Sequence, residues 1–185
     1  MRFSKKILET FIELPKDWQD LMEDVGLEIK SIDGDVFNLE LLANRGDHYC
    51  YFGLTNEIHG RTGSKIKYDI TKMTTPLDVS NKINNLFKIE TNKCLAYSLT
   101  PYKLSKTQKE RQTKDKYILD LLSTSDVNVI LDIIDITNVV MLEYGQPVHV
   151  YDADKIKGQI CIRESKLGEK AALLFHDGLT ELPAG

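Results

Sequence analysis

A threonine, an asparagine and a histidine are the residues of this chain whose types and spacing could do chemistry together. Thr137, Asn138 and His149 are set into the otherwise apolar segment 132–158. Polar groups placed there need internal hydrogen-bond partners or a ligand, because burying them unpaired costs free energy. A hydroxyl, an amide and an imidazole could hold a polar ligand and orient a water molecule. The alternative is that the threonine and asparagine only cap a helix, and that His149 is an ordinary satisfied histidine.

The surrounding segment predicts a strand end that runs into a buried helix, followed by a turn. Apolar residues dominate positions 133–142, and Asp135 is the candidate N-cap of the helix. The threonine and the asparagine then fall in the first helical turn, where backbone N–H groups lack intrahelical acceptors. Gly145-Gln146-Pro147 would end the helix and bring His149 back on an extended segment. We therefore predict a polar cluster at a helix start, with one imidazole across from it.

This segment resembles the B3 region of the beta subunit of bacterial phenylalanyl-tRNA synthetase. The family pattern there is roughly V-V-D-[IV]-T-N-Y-V-M-L-E-[LY]-G-Q-P-x-H-A-F-D-x-D-K-[IL]. The chain departs from it at Val139, where the family usually has tyrosine, and at Val150-Tyr151, where Ala-Phe is usual. It matches at Asp135, Thr137, Asn138, Val140, Glu143, Gly145, Gln146, Pro147, His149, Asp152, Asp154 and Lys155.

The first 70 residues resemble the B1 region of the same family. Its pattern L-x-x-x-N-R-P-D-x-x-S-x-x-G-[IL]-x-[RN]-E-[IV] is matched at eight positions, and Gly46 replaces the usual proline. Most bacterial members insert an OB-fold tRNA-binding domain between the first hairpin strands, whereas Asp33-Gly34-Asp35 predicts a tight turn here. This chain is therefore expected to lack that domain. The matching residues are Asn44, Arg45, Asp47, Gly53, Leu54, Asn56, Glu57 and Ile58.

The patterns predict an α+β fold. It would consist of a small helix and hairpin region at the N-terminus, followed by a mixed α/β B3-type domain truncated before B4. We assign residues 1–75 to the B1-like region and 76–185 to the B3-like half of a B3/B4 editing domain. The predicted elements are helices over 4–13, 18–25, from about 47 to 60–63, and 106–122, a hairpin turning at 33–35, strands over 86–91, 94–104 and 159–165, and a hairpin turning at 177–178.

The resemblance implies a part in phenylalanine–tRNA ligase, which joins phenylalanine to its tRNA with ATP and magnesium. In the family that chemistry belongs to the alpha subunit of an α2β2 heterotetramer, so no cofactor is expected in this chain. An apolar pocket rejects an isostere with one added hydroxyl only about 10²-fold, so tyrosine errors need hydrolysis at a second site. The family's editing site lies between B3 and B4, and its Thr, Asn and His correspond to Thr137, Asn138 and His149. Because an acidic residue that reads tyrosine lies beyond Gly185, the isolated fragment is expected to be inactive.

The net charge of −4 gives no general attraction to nucleic acid, so any contact with tRNA needs a local basic patch. One run of basic residues is the weak candidate for such a patch, and a solvated helix face is the stronger alternative reading. The run comprises Lys103, Lys106, Lys109, Arg111, Lys114 and Lys116.

The cysteines and the hydropathy indicate the compartment. Cys50, Cys94 and Cys161 are odd in number and widely separated, which is typical of reduced thiols in the cytoplasm and not of a disulfide framework or a zinc ribbon. No run approaches 18 apolar residues, so we expect no membrane span. Asp152 and Asp154 favour a turn and cap over a ligand pair, and no metal site is predicted.

Two other functions remain open at this point. The same domains could build a free-standing protein that edits tRNA or binds RNA. Alternatively, the chain could be a non-catalytic interaction module whose polar cluster is inert.

Overall fold

The computed structural model describes residues 1–68, 87–94, 97–101, 115–130, 133–173 and 176–184. Packing divides the chain into two compact units. Unit 1 contains Met1–Thr75 and Leu104–Val150, and unit 2 contains Pro76–Lys103 and Tyr151–Gly185. Helices and small sheets are both present in the described parts, which confirms the α+β class. The division at residue 75 follows the sequence patterns and stays a prediction.

Unit 1 begins with a three-stranded antiparallel sheet flanked by two short helices. The strands are β1 (Arg2–Ser4), β2 (Glu28–Asp33) and β3 (Val36–Glu40), in the spatial order β1-β3-β2. The helices are α1 (Lys5–Phe11) and α2 (Trp18–Asp24). The predicted hairpin and both helices are thus present. The sequence patterns missed β1, because its three residues are too few to show an alternation.

The hairpin turn also caps α1. Ser4, the N-cap of α1, accepts a hydrogen bond from the Ile7 N–H at 3.2 Å and donates its hydroxyl to the Asp35 carboxylate. The other oxygen of Asp35 accepts the Lys6 N–H at 3.0 Å, and its backbone carbonyl accepts the Lys5 N–H at 2.8 Å. One aspartate of the tight turn therefore satisfies helix donors that have no acceptor within the helix.

The next helix differs from its predicted start. A 3-10 helix spans Gly46–Tyr49, and α3 (Tyr51–Thr62) begins only after Cys50. Cys50 is extended, with φ −149° and ψ 160°, and its Sγ accepts the Gly53 N–H at 3.3 Å. A helix starting at Asp47 is therefore wrong, because the chain bends at Cys50 and a thiol replaces the usual capping oxygen.

Two further helices lie in the described part of unit 1, α4 (Lys116–Thr124) and α5 (Ile133–Tyr144). Residues 106–114 of the predicted helix over 106–122 lie outside the described residues, and α4 extends two residues beyond its predicted end. α5 packs on both α4 and α3. The hydrophobic core gathers side chains from the helices named above and from the sheet, among them Phe3, Phe37, Tyr51, Leu121 and Leu142.

Unit 2 contains two small sheets. β4 (Phe87–Ile89) pairs in parallel with β5 (Ile160–Ile162), and β6 (Lys170–Ala172) pairs antiparallel with β7 (Leu179–Glu181). The predicted strands at 86–91 and 159–165 and the hairpin turning at 177–178 are thus present. Of the strand predicted over 94–104, the described residues 94 and 97–101 are not in a strand. Pro101 itself cannot donate a ladder hydrogen bond, because it lacks an N–H.

Within the described ranges, no helix is long and apolar enough to cross a membrane.

A close backbone approach at Gly53 yields the first prediction. A Cβ atom there would lie 1.7 Å from the backbone oxygen of Asp47, so alanine cannot be accommodated without moving the 3-10 segment. We expect Gly53→Ala to lower the free energy of unfolding by at least about 3 kcal/mol in urea titrations.

Gly60 is the matched control, because it lies in the same helix with no atom within 4 Å of an added Cβ. Gly60→Ala should raise the free energy of unfolding by about 0.5–1 kcal/mol through helix propensity. Equal effects of the two substitutions would contradict the close approach.

Candidate functional site

The helix that carries the predicted site residues begins earlier than expected. α5 starts at Ile133, so Asp135 lies inside its first turn and is not the N-cap. Asp135 is buried, and its carboxylate accepts the backbone N–H of Ile130 at 3.0 Å. The predicted strand end at 133–134 is therefore wrong as well. The aspartate therefore holds the residues that lead into the helix. The motif alone does not distinguish this role from capping.

Thr137 and Asn138 consequently lie in the second turn of α5, and their backbone N–H groups are used within the helix. Both side chains are partly buried. The Thr137 hydroxyl donates to the carbonyl oxygen of Ile134 at 2.7 Å, so its oxygen can still accept a hydrogen bond from another group.

The two residues share a helix face with exposed apolar side chains. Ile134, Thr137, Asn138 and Met141 follow the i, i+3, i+4, i+7 spacing of one face. Ile134 is 43% exposed and Met141 37% exposed, whereas Asp135, Val139 and Leu142 form the buried side of the helix. A polar pair between two exposed apolar side chains is suited to a ligand that has both a polar and an apolar part.

His149 lies on the segment that follows α5. Gly145 ends the helix with φ +72°, and its N–H donates to the Met141 carbonyl at 2.8 Å. Residues 146–150 have no regular structure, and His149 is exposed there, between half-exposed Val148 and Val150. The turn at Gly145-Gln146-Pro147 is thus present as predicted. Convergence of the three polar groups on one cavity stays a prediction.

The basic patch is described at one position only. Lys103, Lys106, Lys109, Arg111 and Lys114 lie outside the described residues. Lys116 is the exposed first residue of α4. Its contact with RNA stays a prediction.

The last turn of α5 is held on two sides by residues to which the sequence analysis gave no role. The Tyr117 hydroxyl of α4 donates a hydrogen bond to the Glu143 carboxylate. The Tyr144 ring lies 6.3 Å from that of Phe52 in α3 and 6.4 Å from that of Tyr68, measured between centroids. Burial raises the pKa of Glu143 above its ordinary value, although the Tyr117 hydrogen bond acts in the opposite direction. Only the motif match at Glu143 signalled this contact in advance.

A second polar cluster lies in the B1-like region, at the start of α3. Arg45 donates to both oxygens of Asp47, at 3.0 and 2.7 Å, and also to the Glu57 carboxylate. The Nε2 atom of buried His48 lies 3.2 Å from Glu57 and 3.5 Å from Asp47. Hydrogen bonding to Arg45 lowers the pKa of Asp47 to about 2 and also lowers that of Glu57.

The ligand atoms of Asp47, His48 and Glu57 lie within 4.8 Å of one another, as in sites that hold a metal ion. The Arg45 guanidinium already contacts both carboxylates and neutralises part of their charge. A cation could enter only by displacing it. The ion pairs of Arg45 join the loop before α3 to the helix itself. The absence of a metal site stays a prediction.

Comparison with known proteins identifies the class first. Residues 101–183 match the B3/4 domain family. The chain is also similar to curated phenylalanine–tRNA ligase beta subunits. That of Fusobacterium nucleatum is 30% identical over 90% of this chain and 20% of the relative, and that of Clostridium tetani is 33% identical over 80% and 18%. The Rhodopirellula baltica protein is 25% identical over 95% of this chain and 26% of the relative.

These matches confirm that the chain is related to the beta subunits of phenylalanine–tRNA ligase, as its motifs predicted. The chain spans about a fifth of the length of the curated relatives it matches.

The raised pKa of Glu143 yields a prediction about pH. The folded chain keeps this proton at pH values where the unfolded chain has lost it, so the free energy of unfolding falls as pH rises above the ordinary glutamate range. Glu143→Gln should remove this decline above the ordinary glutamate range, as measured by urea unfolding at a series of pH values.

Tyr117→Phe serves as the opposing variant. Removing the hydroxyl takes away a donor that favours the charged carboxylate, so the decline in stability with pH should become steeper. Parallel pH profiles for the parent and the two variants would contradict the assignment.

Proposed function

We propose that this chain forms part of the beta subunit of a phenylalanine–tRNA ligase, and that Thr137, Asn138 and His149 line one side of a site that hydrolyses mischarged Tyr-tRNA. One observation carries the proposal. The D-x-T-N and G-Q-P-x-H patterns occur together in a chain related to these subunits, with the threonine and asparagine on the exposed side of α5 and the histidine on the segment after it.

The two residues of α5 would bind the ester end of the substrate in different ways. The Thr137 hydroxyl proton is engaged by Ile134, so its oxygen would accept from a ribose hydroxyl or from the amino group of the aminoacyl moiety. Backbone amides of α5 are not available at these positions, contrary to the expectation from a helix start. The side-chain amide of Asn138 would therefore donate to the ester carbonyl, where negative charge develops during hydrolysis.

The histidine would act on water. An imidazole can orient an attacking water or take its proton, and such groups typically contribute 10²–10⁴-fold to a rate. His149 is exposed, so solvent water can reach it. Ile134 and Met141, the exposed apolar residues on the face of Thr137, would contact the aromatic ring of the amino acid.

The whole enzyme would need further parts. Its alpha subunit would supply the activation site that uses ATP and magnesium, and tRNA would contact a basic surface to which the run from Lys103 to Lys116 contributes. Scaffolding for that partner would be the second role of this chain. The ligase would act in the cytoplasm, where its three free cysteines would stay reduced.

The test is hydrolysis of Tyr-tRNA by the assembled ligase with substitutions in the beta subunit. We expect His149→Gln and Asn138→Ala each to lower the hydrolysis rate about 10²-fold. Thr137→Val should lower it about tenfold. Charging of tRNA with phenylalanine should stay at the parent rate in all three.

Matched controls separate the site from local structure. The Thr10 hydroxyl donates to the Ile7 carbonyl at 2.7 Å, the same arrangement as Thr137 with Ile134, so Thr10→Val repeats the substitution away from α5. His59→Gln repeats the other change at an exposed histidine of α3. Parent rates of Tyr-tRNA hydrolysis in His149→Gln and Thr137→Val would overturn the editing role and favour an interaction module.

The isolated chain gives a separate prediction. Because the family's editing site needs a second half, residues 1–185 alone should release no tyrosine from Tyr-tRNA above the buffer rate. Release that depends on His149 would contradict this, and would favour a free-standing editing protein.

A further inference from the structure

The segment that carries His149 starts from a glycine that packs against the cysteine capping α3. A Cβ atom at Gly145 would lie 3.1 Å from the Sγ of Cys50 and 3.5 Å from its Cβ. The first distance is closer than ordinary van der Waals contact, and the second is ordinary. A side chain at position 145 would therefore require the sulfur to move by a few tenths of an ångström.

Cys50 is itself held firmly. Its Sγ accepts the Gly53 N–H at 3.3 Å and donates to the Asp47 carbonyl at 3.5 Å. The side chain is 4% exposed. Asp47 in turn belongs to the ion pairs with Arg45 that join the loop to α3. The sulfur is therefore a fixed surface against which the end of α5 rests.

The chain has little freedom between this contact and His149. Gly145 holds a left-handed conformation, Pro147 fixes its own φ, and the residue before a proline is restricted to extended conformations. The neighbouring anchors act in the same direction, since Glu143 is bonded to Tyr117 and Tyr144 packs beside Phe52. A displacement at Gly145 would therefore change where the segment that carries His149 leaves the helix.

We propose that Cys50, through its contact with Gly145, is a positioning residue for His149, so that the B1-like region orients a group of the B3-like region. The catalytic effect of this positioning rests on the function proposed above, whereas the placement of His149 can be tested without it. Cys50 itself performs no chemistry here, because its thiol is buried and hydrogen-bonded inside unit 1.

The experiment compares two glycines that end helices in the same way. Gly63 ends α3 with φ +69° and donates its N–H to His59 at 2.8 Å, as Gly145 does to Met141, but no atom lies within 4 Å of an added Cβ. Gly63→Ala therefore introduces the left-handed strain alone. Gly145→Ala introduces the same strain and the clash with sulfur.

The readout is the ring resonance of His149 in the NMR spectrum, assigned with His149→Gln. We expect Gly145→Ala to shift this resonance by more than its line width and to leave that of His176 unmoved. Gly63→Ala should leave the His149 resonance at its parent position. Adding Cys50→Ser to Gly145→Ala should return it, because the smaller oxygen on a shorter bond still caps α3. Cys50→Ala alone, which removes the atom on which Gly145 rests, should also move the His149 resonance.

Hydrolysis of Tyr-tRNA by the assembled ligase provides the functional arm. Gly145→Ala should lower kcat about tenfold at nearly unchanged KM, with recovery when Cys50→Ser is added, because misplacing a catalytic group affects the chemical step more than binding. An unmoved His149 resonance in Gly145→Ala or in Cys50→Ala, or no recovery when Cys50→Ser is added to Gly145→Ala, would overturn the positioning role. A shifted and recovered resonance in an enzyme that does not hydrolyse Tyr-tRNA would uphold the positioning role and overturn the proposed function.

Discussion

The end of α5 is fixed at three consecutive residues, and the candidate site takes its position from that constraint. Glu143 accepts a hydrogen bond from Tyr117 of α4, Tyr144 packs against α3, and Gly145 contacts Cys50. Each contact uses different physics: a buried hydrogen bond, aromatic packing and steric exclusion. The three contacts act on consecutive residues, and each constrains where the segment that carries His149 leaves the helix.

The two units differ in how they are stabilised. The residues of the hydrophobic core lie in unit 1, and none of the residues 88–94, 97–101, 151–173 and 176–184 of unit 2 is buried. That part of unit 2 relies on short strand pairs and on exposed ion pairs, such as Arg163 with both oxygens of Glu169 at 2.9 and 2.5 Å. Exposed pairs contribute little to stability. Since all three candidate site residues lie in unit 1, their placement depends on the better-packed unit.

Much of the fold could be predicted from the sequence, because its signals are local. Apolar spacing located α1 and α2, and Asp33-Gly34-Asp35 located the hairpin, since short-range periodicity and turn chemistry decide these elements. Three residues of β1 gave too short a pattern, and the start of α3 depends on a thiol cap that sequence rules do not anticipate. Asp135 is of a residue type that often caps helices, but it lies inside α5, where its carboxylate accepts the backbone N–H of Ile130.

The candidate site could be predicted as a set of residues but not as an arrangement. The motif identified Thr137, Asn138 and His149, and the turn at Gly145 followed from glycine and proline. That Thr137 shares a face with Ile134 and Met141 depends on the first residue of α5, and helix boundaries are the least certain feature of a sequence prediction. The contact of Gly145 with Cys50 joins residues 95 positions apart, and no local pattern encodes it.

The double use of Asp35 has a consequence for how the N-terminal part assembles. α1 has seven residues, and a helix of that length does not persist alone in water. Its first-turn donors find their acceptors on the hairpin turn, about thirty residues later in the chain. We therefore expect α1 to become stable together with the hairpin of β2 and β3, so that a spectroscopic probe on either element reports the assembly of both.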